Sequence, residues 1–291
     1  MIARVGGLLA CVPIVLIHAG PAAAAPSQQQ QSPQRILLVG DSMAVTMFPF
    51  LRDAGAARGI TMRVAGRIGC GVIDGTPKLE DGRPYVDYFG DTAQCAGISQ
   101  SLQNEMLASL HPDLVVWMSG WESWPNRVID GQLVHFGTIT GNKTILSRID
   151  AAVGRLTASG ARLVFLPPAP NAYPSVRGVP NIEGDSRLAE LANVLRAYAR
   201  QHTDRVSLVD LPTMLGCPTE AKCPAEVAPG IRPRDLDGFH FYGAGSAWLA
   251  DQLMGMLTGT TPLPTPPGPP ACVAASIGNG LAAAGDRKCA H

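Results

Sequence analysis

Five short apolar runs punctuate the chain. Ile36 to Val39 is four consecutive aliphatic residues, Ile60 to Ala65 alternates, Asp113 to Met118 and Arg162 to Leu166 are again apolar, and Val206 to Val209 closes the series. Runs of this length that lack a polar face read as strands buried on both sides. Stretches with helical period lie between them. Met43 to Arg58 carries Val45, Phe48, Leu51 and Ala54 at that spacing and stops at Gly59, with Pro49 leaving its start open. Ile98 to Leu110 closes at His111-Pro112, Ile145 to Ala158 ends before Gly160, and Ala244 to Leu257 forms a last helix. Ser186 to Gln201 gathers Leu188, Leu191, Val194, Leu195 and Tyr198 on one face. Strands alternating with helices predict an α/β fold, a three-layer α/β/α sandwich around a five-stranded parallel sheet.

The polar segments between these elements are uneven. Gly66-Arg67-Ile68-Gly69-Cys70-Gly71 has three glycines in six residues, which indicates a loop with positive φ or a close backbone approach. Residues 73–96 show no sustained period and read as an excursion forming part of a pocket wall. The third strand ends in Ser119-Gly120-Trp121-Glu122, and Trp124 follows; Glu122 and Trp124 are side chains able to reach a site there. Trp121 and Trp124 could equally pack over the sheet's end. A loop rich in proline and cysteine runs from Asp210 to Arg234.

Composition changes the picture mainly at the ends. The 291 residues, 46% of them apolar, suffice for a sizeable core, and Lys plus Arg balances Asp plus Glu at 23 each. No net field draws the chain to nucleic acid or to an anionic membrane surface. Arg4, the apolar run from Val5 to Ile17 and the alanines ending at Ala25 describe a signal peptide over 1–25, cleaved near Ala24 or Ala25. The apolar run is shorter than the ~20 residues a membrane span needs, so no stable insertion is expected after its removal. A lipoprotein-like Leu8-Leu9-Ala10-Cys11 is the alternative. Residues 26–34 read as a flexible linker, 35–257 as the folded domain and 258–291 as a proline-rich tail.

Removing the leader also removes Cys11 and leaves an even set: Cys70, Cys95, Cys217, Cys223, Cys272 and Cys289. In an exported chain these imply disulfides, and their grouping suggests the pairs 70 with 95, 217 with 223 and 272 with 289. The first pair would staple the 73–96 excursion. No CxxC pair or cysteine–histidine cluster points to a metal, and no cofactor is expected.

Ser42 falls at the carboxyl end of the first strand, the end at which open parallel sheets bind ligands. A serine hydroxyl needs a histidine to take its proton and a carboxylate to orient that histidine. Asp237 and His240, three residues apart in the loop after the fifth strand, supply both from one turn. Asp235 is a nearby substitute for Asp237, whereas His111, His135 and His202 stand at helix ends or in loops. Gly40-Asp41-Ser42 and Asp237-x-x-His240, spread across the whole domain, resemble the first and last blocks of the SGNH, or GDSL, hydrolases. Together with Gly120-Trp121-Glu122, the run Asp237-Gly238-Phe239-His240-Phe241 is similar to the extracytoplasmic SGNH domains attached to bacterial membrane acyltransferases.

The resemblance implies a flavodoxin-like SGNH hydrolase fold and a secreted serine esterase or O-acyltransferase. Its substrate would be an O-acylated cell-envelope carbohydrate or another small ester, with an envelope acyltransferase as a possible partner. Ser42 would be the nucleophile, His240 the general base and Asp237 its orienting carboxylate. The amides of Ser42 and Gly69 would bind the oxyanion, with Gly66 and Gly71 as alternatives to Gly69. The third block departs from the family, because Glu122 stands where an asparagine donor is expected and an ionised glutamate cannot donate a hydrogen bond. Either the Trp121 amide or indole substitutes, or activity is weak, or the fold serves as a non-catalytic glycan-binding or envelope-assembly module. A Rossmann-type nucleotide site is disfavoured, since no GxGxxG or P-loop is present.

Overall fold

A computed structural model describes residues 32–79, 81–84, 86, 87, 90, 91, 95, 97–173, 182–217, 222–242 and 244–261. The expected signal peptide, residues 26–31 of the linker, and residues 262–291 of the tail with Cys272 and Cys289 lie outside the described residues. In chain order the elements are β1 (Arg35–Gly40), α1 (Ser42–Ala56), β2 (Thr61–Gly66), β3 (Thr76–Lys78), β4 (Val86–Asp87), β5 (Gly90–Asp91), α2 (Ile98–Leu110), β6 (Leu114–Met118) and β7 (Asn126–Ile129). They continue with β8 (Gln132–Val134), α3 (Ile139–Thr157), β9 (Arg162–Phe165), β10 (Ala172–Tyr173), α4 (Ile182–Gln201), β11 (Val206–Leu208), α5 (Leu211–Met214), β12 (Cys223–Pro224) and α6 (Ala244–Leu257).

The five apolar runs form one parallel sheet in the order β2-β1-β6-β9-β11. Alternate residues of each strand feed two cores. Leu37, Val39, Val115, Trp117, Leu163 and Phe165 pack with Ile145, Ile149 and Val153 of α3 and Leu191, Val194 and Leu195 of α4. Ile36, Leu38, Leu114, Val116 and Val164 pack on the other face with Met43, Met47 and Leu51 of α1 and Leu249 and Leu253 of α6. The α/β fold with a five-stranded parallel sheet flanked by helices is the one the pattern predicts, because burial on both faces makes the inner strands β1 and β6 apolar at 36–39 and 114–118. The strand order reverses between β1 and β6, and this switch point is where such sheets leave a crevice at their carboxyl ends.

The first helix starts at Ser42 rather than Met43 and takes Pro49 into its interior, ending at Ala56. Asp41 caps it, its side chain accepting the Met43 amide at 2.8 Å. The helix from Ile145 begins earlier, at Ile139 behind a Thr138 cap, and that from Ser186 begins at Ile182. The 73–96 excursion is not wholly irregular, for β3 joins β7 and β8 in an antiparallel sheet. The Asp210 to Arg234 loop likewise holds the short helix α5 and the strand β12, which pairs with β10. Cys70–Cys95 and Cys217–Cys223 are disulfides, as grouped from the sequence. No helix among the described residues is long and apolar enough to cross a membrane.

Candidate active site

The turn out of β1 sets the position of Ser42. A Cβ on Gly40, whose φ is +157°, would sit 1.8 Å from the Met118 carbonyl oxygen, so only glycine lets β1 run this close to the end of β6. Asp41 and Ser42 follow directly, and Ser42 opens α1 with 8% of its surface exposed. As the first helical residue it has no intrahelical acceptor for its amide. From the other end of the chain, the loop after Arg234 delivers His240, whose Nε2 lies 2.8 Å from Ser42 Oγ. The His240 Nδ1 is 2.7 Å from Asp237 Oδ2. Ser42, His240 and Asp237 therefore meet although 198 residues separate the serine from the histidine.

Local bonds hold the histidine loop in shape. Asp237 Oδ1 accepts the amides of Phe239 (2.8 Å) and His240 (3.0 Å), and the Asp235 amide donates to the His240 carbonyl at 2.8 Å. Burial by itself would raise the Asp237 carboxyl. The His240 ring, the two amides and the histidine's charge outweigh it and bring the carboxyl down to about 2. An ionised Asp237 only accepts, so the neutral imidazole carries its proton on Nδ1 and presents Nε2 to Ser42 as an acceptor. The buried Arg234 anchors the loop to the segment after β9, its guanidinium donating to the carbonyls of Ala169 (3.2 Å), Gly238 (3.1 Å) and Pro170.

The glycine loop after β2 is the second wall. The Cys70 amide donates to the Arg67 carbonyl at 3.2 Å, closing a turn whose third residue, Gly69, has φ +73°. Of the three glycines offered from the sequence, Gly69 alone takes positive φ; Gly66 is in β2 opposite Gly40, and Gly71 backs onto Glu122. The Arg67 amide donates to the Gly40 carbonyl at 3.1 Å and ties this turn to the end of β1.

The third-block residues are placed differently from expectation. The Trp121 amide, considered as an oxyanion donor, gives its hydrogen to Asp41 Oδ2 at 2.9 Å. Glu122, expected to contact substrate, is 1% exposed, and its Oε1 accepts the Val72 amide at 2.6 Å. Its side chain faces the glycine loop, where a backbone donor and the neighbouring Arg127 offset the cost of burying a charge. The Trp124 ring centroid is 6.1 Å from that of Phe239, which lies edge-on to His240 at 5.0 Å.

Two further residues, Asp41 and Arg127, hold the site together, and neither is among the site residues expected from the sequence. Asp41 is completely buried, and its carboxylate accepts the Met43, Gly120 and Trp121 amides and the Ser119 hydroxyl. Burial, then the charge of Glu122, raises its carboxyl to about 6 against the lowering effect of the hydrogen bonds from Met43, Gly120 and Ser119. Arg127 of β7 is buried too and donates to the Trp121 carbonyl. The Asp130-Gly131 turn that returns β7 to β8, with φ of 51° and 77°, was the available signal for this hairpin. Among the described residues no group of three or more His, Cys, Asp or Glu side chains is arranged to hold a metal ion.

A family model described as SGNH domain (fused to AT3 domains) matches residues 15–255. Among solved structures, the chain is similar to a lipopolysaccharide acetyltransferase periplasmic domain from Salmonella ser. Paratyphi A, with 14% identity over 79% of this chain and 84% of that one, and a TM-score of 0.49. It is also similar to a GDSL-like lipase from Bacteroides thetaiotaomicron, with 15% identity over 78% and 89% of the two chains and a TM-score of 0.48. No curated protein sequence matched.

Proposed function

Because the chain belongs to the family of SGNH domains found fused to AT3 domains, we propose that it is a serine-dependent acyl-ester hydrolase or O-acyltransferase in which Ser42 is the nucleophile. The observation that carries this reading is the continuous hydrogen-bonded run from Ser42 Oγ through the His240 ring to Asp237. Ser42 Oγ attacks the ester carbonyl while His240 Nε2 takes its proton, and the ionised Asp237 stabilises the resulting imidazolium. The carbonyl oxygen, now negative, is received by the amides of Ser42 and Gly69. Collapse breaks the ester C–O bond, His240 returns the proton to the leaving alcohol, and an acyl-Ser42 intermediate remains. Water or a second hydroxyl, deprotonated by the same histidine, then attacks the acyl carbon; the bond to Ser42 Oγ breaks, and His240 returns the proton to that oxygen.

Exposed apolar side chains adjoin the site residues in sequence. Ile68 beside Gly69, Leu236 beside Asp237 and Tyr242 after His240 are 40%, 45% and 51% exposed, which suits an acyl substituent on a polar carrier. We assign the carrier to envelope carbohydrate and the compartment to the outside of the cytoplasm, the latter supported by the leader-like start and two disulfides. An AT3-type acyltransferase is the partner that the family description supports.

Incubation of the folded chain with a fluorophosphonate tests the reading. One adduct on Ser42, lost in Ser42→Ala, is expected, together with hydrolysis of p-nitrophenyl acetate. A folded chain that takes up no probe overturns it in favour of a glycan-binding module, the alternative that the engaged Trp121 amide and buried Glu122 favour.

A further inference from the structure

Glu122 stands in the sequence where the family's asparagine would donate, yet it is closed off from solvent and bonded to the backbone. It is 1% exposed, and its Oε1 holds the Val72 amide at 2.6 Å across 50 residues of sequence. A Cβ on Gly71 would fall 2.6 Å from that same oxygen, so the loop passes the carboxylate with room for backbone alone. The loop carrying Gly69 is thus fixed at both ends: the Arg67 amide binds the Gly40 carbonyl at 3.1 Å on the β1 side, and Val72 is held by Glu122 on the β6 side. Glu122 is itself seated in a fixed strand end, since Asp41 binds the Gly120 and Trp121 amides and Arg127 binds the Trp121 carbonyl.

We infer that Glu122 is a positioning residue, a buried clamp that sets the glycine loop so that the Gly69 amide meets the oxyanion, and so replaces by geometry the donor that the third block lacks. The inference rests on the reading of Ser42 as nucleophile. Small displacements of a preorganised donor are costly, since the stabilisation depends on its standing at hydrogen-bond distance from the developing charge. A clamp of this kind acts on the transition state and leaves substrate binding almost untouched.

Glu122→Ala, Glu122→Gln and Gly71→Ala are compared with the wild type by p-nitrophenyl acetate kinetics and by hydrogen exchange at the Val72 amide. Glutamine retains a side-chain oxygen that can accept from Val72, so Glu122→Gln should stay within about 3-fold of wild-type kcat and keep Val72 protected. Glu122→Ala should lower kcat by roughly 10- to 100-fold with little change in KM and lose that protection. Gly71→Ala reaches the same contact from the loop side and should share the kcat loss while leaving Glu122 intact. A Glu122→Ala kcat within about 3-fold of wild type, or a Glu122→Gln as impaired as the alanine variant, overturns the inference. If the wild type takes up no fluorophosphonate, the serine-enzyme reading fails separately, and the exchange rate at Val72 still decides whether Glu122 holds the loop.

Discussion

The Asp41 carboxylate accepts the Gly120 amide at 2.8 Å and so joins the end of β1 to the end of β6, one residue before Ser42. Both strands meet at the switch point of the sheet, and this single side chain fixes the distance between the serine turn and the third-block loop. The geometry requires an acceptor with two oxygens, because Met43 draws on one and Ser119, Gly120 and Trp121 on the other.

That arrangement has a pH signature. Burial and Glu122 raise the Asp41 carboxyl from 3.8 to about 6, so the folded chain binds a proton there that the unfolded chain has released. The stabilising contribution of this group is complete below the unfolded value and is lost as the pH rises through about 6. The interval corresponds to on the order of 3 kcal/mol. Urea unfolding of wild type and Asp41→Asn at pH 4 and pH 7 should show the difference between them shifting by that order in favour of the wild type at the lower pH. A difference that does not vary with pH would count against the shifted Asp41.

Asp237→Asn should impair turnover without unfolding the chain. Its carboxyl sits at about 2, so it is ionised at every pH at which activity is measured, and it dictates the His240 tautomer. An amide at this position can donate to Nδ1, which moves the proton to Nε2 and removes the base from Ser42. A loss of roughly 10³- to 10⁴-fold in kcat is expected. Fluorophosphonate labelling of Ser42 should slow in parallel, while the thermal midpoint moves little. Equal labelling rates in the two proteins would remove Asp237 from the mechanism.

Much of this was legible in the sequence because of one physical circumstance. Strands β1 and β6 are buried on both faces, so residues 36–39 and 114–118 are apolar without interruption and their ends could be read directly. The serine and the late Asp-x-x-His followed from the strand ends and the alternation. The strands of the β7–β8 hairpin were harder to read than its Asp130-Gly131 turn, because their buried positions include Asn126 and Arg127, polar residues bonded to Arg187 and to the Trp121 carbonyl. Glu122 was misread for the same reason. A carboxylate after a strand end looks available to a ligand, and nothing in the local sequence reveals that an amide 50 residues earlier will satisfy it.

Glycine substitutions should separate steric necessity from backbone preference. Gly40 and Gly59 both have positive φ, at 157° and 72°. Alanine at Gly59 meets nothing within 4 Å and should cost about 1 kcal/mol from the backbone alone. At Gly40 the new Cβ falls 1.8 Å from the Met118 oxygen, so β1 and β6 must part. A loss above about 4 kcal/mol, or failure to recover folded protein, is expected there. Chemical denaturation of the two variants side by side checks this, and comparable costs would mean that the β1 to β6 approach is not tight.

The pair Arg196 and Asp210 should behave as a buried unit. The guanidinium donates twice to the carboxylate, at 2.7 and 2.8 Å, with 3% and 0% of the two side chains exposed. Arg196→Leu leaves the buried carboxylate with the 3.2 Å hydrogen bond from the Thr213 amide, and should cost about 3 to 5 kcal/mol. Adding Asp210→Asn to that variant removes the stranded charge while keeping an acceptor for Thr213, and should recover part of the loss. Urea unfolding of both single variants and the double variant measures the coupling, and strict additivity would contradict it.

The Cys70–Cys95 disulfide should matter for stability and for chemistry together. It closes a separation of 25 residues, for which loop-closure entropy gives about 3.5 kcal/mol. Cys70 is also the residue after Gly69, and its amide closes the turn that gives Gly69 its positive φ. Replacing both cysteines by serine should therefore lower the unfolding free energy by about that amount. Well below the midpoint of unfolding it should also slow fluorophosphonate labelling of Ser42, since the proposed oxyanion donor loses one of its anchors. A variant that is destabilised yet labels Ser42 at the wild-type rate would show that the turn at Gly69 is held by Gly40 and Glu122 alone.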